Sequence, residues 1–365
     1  MRIAIDIRSL MDGRLSGVEV YTINIIRALL KYAPQHEYHL FYNAAQAVRL
    51  PDFGQSVQLH AFRYPNKLLN ASQWLLNKPR WDALVSADCF FVPSLRLMPL
   101  SLEKPLVTTV HDISYEHFPH FFSSKRRLWH HMMRTRTLLE RSDHLIAVSE
   151  ATARDIHDVY KIDPTKISVI YSGITLDTAR SINIQKKYKL PEKYILFMAT
   201  LEPRKNVISI IRAFSAIAHL IPQHLIIGGA RGWLTKDIDT ALAQSVARER
   251  IHVRGFIAEK DKATVYSLAD LFVYPSFYEG FGFPPLEALA CGTPVVTSYN
   301  SSLPEVVGQW ATLIDPYDPT ELAAVLQQFL VQPRRVSGTV QQIIYERYSW
   351  EKTARHTVQV IESVV

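Results

Sequence analysis

Short apolar runs rich in β-branched and aromatic residues recur along the whole chain and predict strands. In the first half they fall at Ile3–Ile7, Tyr38–Tyr42, Val57–Phe62, Cys89–Val92, Leu106–Val110, His144–Val148 and Ile167–Tyr171. In the second half they fall at Tyr194–Ala199, His224–Ile227, Ile251–Val253, Leu271–Tyr274, Pro294–Thr297 and Thr312–Ile314. The runs are nearly continuous rather than alternating, as expected of parallel strands covered on both faces. Between them, apolar residues recur at helical spacing. Val207, Ile210, Ile211, Phe214 and Ala218 share one face, as do Leu322, Val325, Leu326, Phe329 and Leu330. Asp318, Pro319 and Glu321 stand where the second of these helices needs an N-cap, an N1 proline and a capping-box glutamate. Ser16 and Glu19 offer the same box to a helix carrying Ile23, Ile26 and Leu30. Strand–helix alternation of this kind predicts α/β architecture with parallel sheets.

The alternation breaks at Asp177–Pro191, a polar stretch without helical or strand period that ends in a proline and reads as an interdomain linker. Two α/β domains are therefore expected, over 1–185 and 186–345, followed by a terminal segment over 346–365. In that segment Ser349 can cap a helix on which Trp350, Ala354, Val358 and Ile361 share a face.

Composition narrows this picture modestly. The 365 residues amount to about two domains. Hydrophobic residues at 48% and charged residues at 21% exclude a disordered tail, a fibrous protein and a disulfide scaffold. The net charge of +7 points to anionic partners without choosing among phosphate ligands, membranes and nucleic acid. Cys89 and Cys291 are far apart in apolar surroundings and lack metal-site spacing, which fits a reducing cytoplasm. The N-terminal MRIAIDIRSL, with Asp6 and Arg8 inside its apolar run, does not read as a signal peptide. The uncharged stretch Ala213–Ala230 contains Pro222, two histidines and two glycines, and reads as a helix end, a turn and a strand rather than a membrane span.

The most informative stretch is Tyr274–Thr297, YPSFYEGFGFPPLEALACGTPVVT. A strand ends near Tyr274, a loop holds Glu279-Gly280-Phe281-Gly282, and a helix is expected to begin near Pro284 or Pro285 and stop at Gly292. A glycine-bearing loop between a strand's carboxyl end and a helix N-terminus is where open α/β sheets bind ligands. Glycine lets a ligand approach the backbone, and the helix end presents N–H groups to an anion. The prolines donate no N–H, so the usable donors lie at Gly280–Phe283 and from Leu286 onward. Two carboxylates, Glu279 and Glu287, flank this apparatus; beside a phosphate they need hydroxyls to bind, and sugar and ribose hydroxyls satisfy them. A second stretch, ATLEPRKN at Ala199–Asn206, follows another strand. It places Arg204 and Lys205 at a helix start, where the dipole disfavours cations and an anionic diphosphate would remove the conflict.

At these residues the sequence resembles the retaining nucleotide-sugar glycosyltransferases of the GT-B type, glycosyltransferase family four. The hallmark is a pair of glutamates separated by seven residues, here Glu279 and Glu287. EPRKN, GGARGW (Gly228–Trp233), IHVRGFI and the closing YSW (Tyr348–Trp350) match as well. In the first half, SGVEVYT (Ser16–Thr22), TVHD (Thr109–Asp112), AVSE (Ala147–Glu150) and VIYSGI (Val169–Ile174) fall at the corresponding positions. The resemblance implies two Rossmann-like domains facing a cleft, with the C-terminal helix crossing back to the N-terminal domain. It implies that the second domain holds a nucleotide-diphosphate sugar and the first the acceptor. Glu287 would then bind ribose hydroxyls, and Glu279 with the backbone N–H groups of Phe281 and Gly282 the donor sugar. Arg204 and Lys205 would hold the diphosphate, with Gly280 and Leu286 in the same loop and helix start. Ile257 would meet the base, His111 would lie near the transferred sugar's hydroxyls, and Gly17 near the diphosphate. Catalytic roles fall on His111, Arg204, Lys205 and Glu279. Two departures bear on contacts: Ala199-Thr200 replace a common Gly-Arg, and Ser172 replaces a common Asn before Gly173.

No cofactor and no metal are expected, since Arg204, Lys205 and the helix end supply the charge the leaving group needs. Asp237-Ile238-Asp239, the DxD of metal-dependent transferases of another fold, reads here as a solvated helix start. Ser123–Arg141 carries six cations among Trp129, Met132, Met133 and Leu138, and Arg63–Trp81 carries Lys67, Lys78, Arg80, Trp74 and Trp81. These faces read either as ordinary core helices with charged outer sides or as docking surfaces for an anionic membrane. The expected activity is sugar transfer from a nucleotide donor, taken as GDP-mannose or a related deoxysugar, to a lipid-linked glycan. It is placed in the cytoplasm at the inner face of the cell membrane, in surface polysaccharide synthesis. The alternatives are a soluble transferase using a UDP-sugar and a nucleotide-sugar 2-epimerase, the latter expected to lack the two-glutamate spacing. Nucleic acid is not an expected partner, because no base-reading motif is visible.

Overall fold

The computed structural model describes residues 1–12, 17–46, 48, 50–176, 183–331 and 335–365. These form two compact units.

The first unit comprises Met1–Ile113, Ser124–Gly173 and Tyr348–Val365. Its strands are β1 (Arg2–Asp6), β2 (Glu37–Asn43), β3 (Val57–Phe62), β4 (Cys89–Val92), β5 (Leu106–Val110), β6 (His144–Ala147) and β7 (Ile167–Val169). They form one sheet in the order β3-β2-β1-β4-β5-β6-β7, and every neighbouring pair is parallel. Alternate residues of β1 face opposite sides. Ile3 and Ile5 pack with Ile25, Ile26 and Leu29 of the helix Gly17–Tyr32, while Ala4 packs with Phe41, Trp81 and Phe90 on the other side. Both faces are dry, which is why the strand reads as an uninterrupted apolar run.

The terminal helix Trp350–Ser363 completes this unit. Ser349 caps it, its Oγ accepting from Lys352 N at 3.2 Å. Ala354, Val358 and Ile361 join the cluster around Ile25 and Leu29, with Val358 and Ile361 each contributing about 1.5–3 kcal/mol by burial. Gly173 makes the approach possible, because a Cβ there would lie 2.4 Å from Trp350 N.

The second unit comprises Ser114–Ser123 and Ile174–Arg347. Its strands are β8 (Tyr194–Met198), β9 (His224–Gly228), β10 (Ile251–Gly255), β11 (Leu271–Tyr274), β12 (Val295–Ser298) and β13 (Thr312–Ile314). The sheet order is β10-β9-β8-β11-β12-β13, all parallel. This is the doubly wound Rossmann order, with its switch point between β8 and β11.

Each unit is thus a Rossmann-like parallel sheet, in agreement with the α/β expectation. Several details differ. The division falls at Gly173/Ile174 and Arg347/Tyr348 rather than at 185 and 345, and Ser114–Ser123 joins the second unit. Of the expected linker, 177–182 lie outside the described residues, as does the Ser16 cap. The remainder contains a short helix, Ile184–Tyr188, held by long-range contacts: Lys187 and Tyr188 both donate to the buried Asp261 carboxylate, at 2.5 and 2.7 Å. Asp318 caps Pro319–Val331 as expected, but Glu321 accepts from Asp315 N rather than closing a box on Asp318. Among the described residues, no helix is long and apolar enough to cross a membrane.

Candidate functional site

The two loops singled out in the second half leave the two strands that flank the switch point. Ala199–Asn206 follows β8, and Pro275–Gly282 follows β11. Adjacent parallel strands therefore deliver both loops to the same sheet edge, and their charged residues meet there.

Glu279 is the hub. Its Oε1 accepts from Lys205 Nζ at 2.5 Å and from Ser276 Oγ at 2.6 Å, and its Oε2 accepts from Arg204 Nη1 at 3.1 Å. Lys205 also donates to Tyr274 OH at 2.8 Å, and Arg204 to the Tyr278 carbonyl at 2.7 Å. Glu202 pairs with Arg204 at 2.8 Å. Two cations and two carboxylates thus form a neutral, nearly dry quartet. Burial opposes the charge on Glu279, but Lys205, Arg204 and the hydrogen bonds outweigh it and hold the carboxyl at about 2. Burial and the neighbouring Arg204 push the Lys205 ammonium down from its ordinary value.

This changes the expectation for Arg204 and Lys205. They lie in a separate 3-10 turn, Pro203–Lys205, and Asn206 in left-handed backbone intervenes before the helix Val207–Ile217. Their charge is already shared with Glu202 and Glu279, so a bound diphosphate would compete with two carboxylates for these cations.

The helix beyond the loop starts at Phe283, one residue before the expected prolines, with Gly282 as its N-cap. Gly282 has φ 109°, and a Cβ there would come within 2.8 Å of Leu303. Ser302 Oγ bonds the carbonyls of Glu279 and Phe281 at 2.9 and 2.8 Å, and Glu279 N donates to Ser301 Oγ at 2.8 Å. Gly280 and Phe281 are buried in this turn, and Leu286 packs fully buried on the helix.

Glu287 lies on the same helix and accepts from Tyr266 OH at 2.9 Å. Burial raises its carboxyl above the ordinary value; Lys262 offsets part of this, while Glu259 adds to it. Ile257 is buried in the loop after β10, with its Cγ1 3.3 Å from where a Cβ on Gly228 would lie.

His111 and Gly17 belong to the first unit. His111 Nε2 lies 2.8 Å from the Pro93 carbonyl. A carbonyl only accepts, so Nε2 carries the proton and Nδ1 keeps its lone pair. Burial lowers the imidazole's pKa, so the ring is neutral at pH 7. Gly17 opens the helix that brings Tyr21 edge-on to His111 with ring centroids 4.7 Å apart.

Sequence reasoning missed Glu202, Tyr266, Ser276, Ser301 and Ser302. Of these only Glu202 and Ser276 carried a signal, being two residues from Arg204 and three from Glu279. Asp239 of the DxD is paired with Arg231 at 2.7 and 2.9 Å at the start of the helix Lys236–Gln244. Among the described residues, no group of three or more His, Cys, Asp or Glu is arranged to hold a metal ion.

Comparison with known proteins places this geometry in a family. Residues 15–178 match the model described as Glycosyltransferase Family 4, and residues 180–350 match Glycosyl transferases group 1. The O-antigen chain mannosyltransferase B of Escherichia coli is 30% identical, covering 94% of this chain and 95% of its own. Sucrose-phosphate synthase from Thermosynechococcus elongatus has a similar fold, with TM-score 0.79, 19% identity and coverage of 100% and 98% of the two chains. So does Anabaena HepE, solved in complex with UDP and glucose, with TM-score 0.72, 19% identity and full coverage of both chains. A Rossmann-like pair of units, a charged cluster at the switch point and a full-length relative agree: the chain belongs to the group 1 glycosyl transferases.

Proposed function

We propose that this protein is a retaining, metal-independent mannosyltransferase that moves mannose from GDP-mannose to a hydroxyl of a growing, lipid-linked surface polysaccharide. The observation that carries the reading is the buried Arg204–Lys205–Glu279 cluster at the switch point, with Glu287 on the adjoining helix. Mannose and the surface glycan are taken from the name of the Escherichia coli relative.

In this reading Arg204 and Lys205 hold the diphosphate, and Gly17 lies near it. Glu287 receives the ribose hydroxyls, and the loop around Ile257 meets the base. Glu279 with the N–H groups of Phe281 and Gly282 holds the sugar, Gly280 gives the backbone its close approach, and Leu286 seats the helix start. Breaking the sugar–phosphate bond develops negative charge on the leaving diphosphate, which the two cations and the helix end stabilise without a metal or other cofactor. The acceptor hydroxyl attacks from the face the phosphate leaves, and the departing phosphate oxygen takes its proton. The neutral His111, with Nδ1 as an acceptor, receives a hydroxyl of the transferred sugar.

The lipid-linked acceptor places the protein in the cytoplasm at the inner face of the cell membrane. The first unit offers a docking face there. Helix Ser124–Met132 exposes Leu128, Trp129 and Met132 beside Lys125 and Arg127, and helix Asn66–Leu76 exposes Leu68, Leu75 and Leu76. Arg134 stacks on Trp74 at 4.5 Å and ties the two regions together. Basic and apolar groups on one face suit an anionic bilayer. Sedimentation with anionic vesicles should be salt-sensitive and should fall on Trp129→Ala; no sedimentation removes the membrane from the reading.

The test of function is a screen of nucleotide sugars by thermal shift and product formation, with and without EDTA, and with the anomeric configuration of the product read by NMR. GDP-mannose should stabilise the protein and yield an α-linked product in EDTA. Stabilisation by UDP-sugars alone would replace the donor, an inverted product the mechanism, and loss of turnover in EDTA the metal independence.

A further inference from the structure

One segment of the second unit comes from the other half of the chain. Ser114–Ser123 leaves β5's end as a short helical turn, Ser114–His117, and a 3-10 turn, Pro119–Phe121, and lies on the second unit. Two loops receive it. On one side Trp233 Nε1 donates to the Phe121 carbonyl at 2.7 Å, and Phe122 stacks on the Trp233 ring at 6.0 Å. On the other side four rings form a column. Phe118 stacks on Phe121 at 5.3 Å, Phe121 on Phe277 at 5.4 Å, and Phe277 meets Tyr317 at 4.9 Å. His117 and Phe118 also pack on Tyr278, at 5.6 and 5.8 Å.

These two contact sides are the supports of the charged cluster. Trp233 follows Gly232, whose N donates to the Leu201 carbonyl at 3.0 Å, and a Cβ on Gly232 would fall 2.6 Å from that same oxygen. The Trp233 loop is therefore knitted to the loop carrying Glu202, Arg204 and Lys205. Phe277 N donates to the Arg204 carbonyl at 2.9 Å, the Tyr278 carbonyl accepts from Arg204, and Glu279 comes next in the chain. The segment thus braces both walls of the cluster at once through its ring contacts.

We propose that residues 114–123 are a positioning strap for the transfer reaction, with Phe121 and Trp233 as its two fastenings. The strap holds the Arg204 loop and the Glu279 loop at the separation at which a diphosphate and the sugar joined to it are gripped together. The proposal rests on the donor reading above and assigns a role to Trp233 of the GGARGW motif. A nucleoside diphosphate alone needs the Arg204–Lys205 wall and Glu287. The reacting donor needs both walls in register, so loosening the strap affects turnover more than nucleotide binding.

The experiment measures kcat for sugar transfer, and the Kd for GDP and UDP by calorimetry, in the full chain and three variants. Phe121→Ala and Trp233→Phe should lower kcat by about tenfold or more while the Kd of the nucleotide the parent binds moves by less than about threefold. Phe121→Tyr, which keeps the ring, should restore parental turnover. Trp233→Phe keeps an aromatic ring but loses the indole N–H and part of the stacking surface, so it keeps the test alive if Phe121→Ala fails to fold. Parental kcat in both disruptive variants overturns the strap, as does a loss of nucleotide affinity by the same factor as kcat, which would make it mere support of the fold. A parent that binds neither nucleotide overturns the donor reading, and the strap's role with it.

Discussion

Glu279 and Glu287 are eight positions apart on one loop and helix, yet their carboxyls are shifted in opposite directions. Lys205 and Arg204 surround the first with positive charge and hold it at about 2, while the second is dominated by burial. A pKa lowered from 4.5 to about 2 makes Glu279 worth on the order of 3 kcal/mol of stability above its unfolded pKa, lost as the pH falls from about 4.5 toward 2. Glu279→Gln should therefore unfold at lower urea than the parent at neutral pH, with the gap narrowing as the pH falls from about 4.5 toward 2. A constant gap across that range would show that the pairing does not govern stability. For Glu287 the sign is reversed. Its folded pKa is raised, so hydroxyl donors from a ligand stabilise the carboxylate and lower that pKa. Nucleotide affinity should weaken as the pH falls through the raised value, with proton release on binding below it, and Glu287→Gln should abolish that pH dependence. Calorimetry in buffers of different ionisation enthalpy reads both effects.

Among the elements, the turn Pro275–Gly282 and the helix Phe283–Ala290 bear most on the site. The turn is held by side-chain hydroxyls rather than by ladder bonds: Ser276, Ser301 and Ser302 satisfy its carboxylate, one N–H and two carbonyls. Gly282 is the one position there where left-handed backbone and a close neighbour coincide. Gly282→Ala should cost about 1–3 kcal/mol in urea unfolding and weaken nucleotide binding, because both the backbone strain and Leu303 oppose the methyl group. Gly338→Ala is the control. No heavy atom lies within 4 Å of a Cβ at Gly338, its φ is ordinary, and it opens a helix, so its stability should stay within about 0.5 kcal/mol of the parent.

At the scale of the whole molecule, neither unit is a continuous piece of chain. The terminal helix Trp350–Ser363 belongs to the first unit and covers Ile25, Ile26 and Leu29, and Thr353 Oγ1 bonds the Tyr171 carbonyl at 2.8 Å. Deleting 348–365 should bare that face, and the truncated protein should aggregate on size-exclusion chromatography with lost helical ellipticity. A monomeric, fully folded truncation would show that the helix is dispensable. Ser114–Ser123 makes the reverse exchange, from the first half of the sequence to the second unit.

Much of this was legible from residues alone. Each predicted apolar run became a strand with ends within two residues, because two-sided burial in a parallel sheet leaves a local, continuous signature. Glu279, Glu287, Arg204 and Lys205 were legible as chemistry because loop, glycine and helix start lie within a few residues of one another. Their partners were not. Glu279 meets Lys205 across 74 residues, and Trp233 meets Phe121 across 112. Pairings of that length depend on which strands lie side by side, and no periodicity encodes strand order. Local pattern therefore determined the elements and the candidate residues. Tertiary structure alone decided that two carboxylates neutralise the cations, that serine hydroxyls hold the turn, and that a segment from the first half braces the site, since each requires atoms brought together by long-range packing.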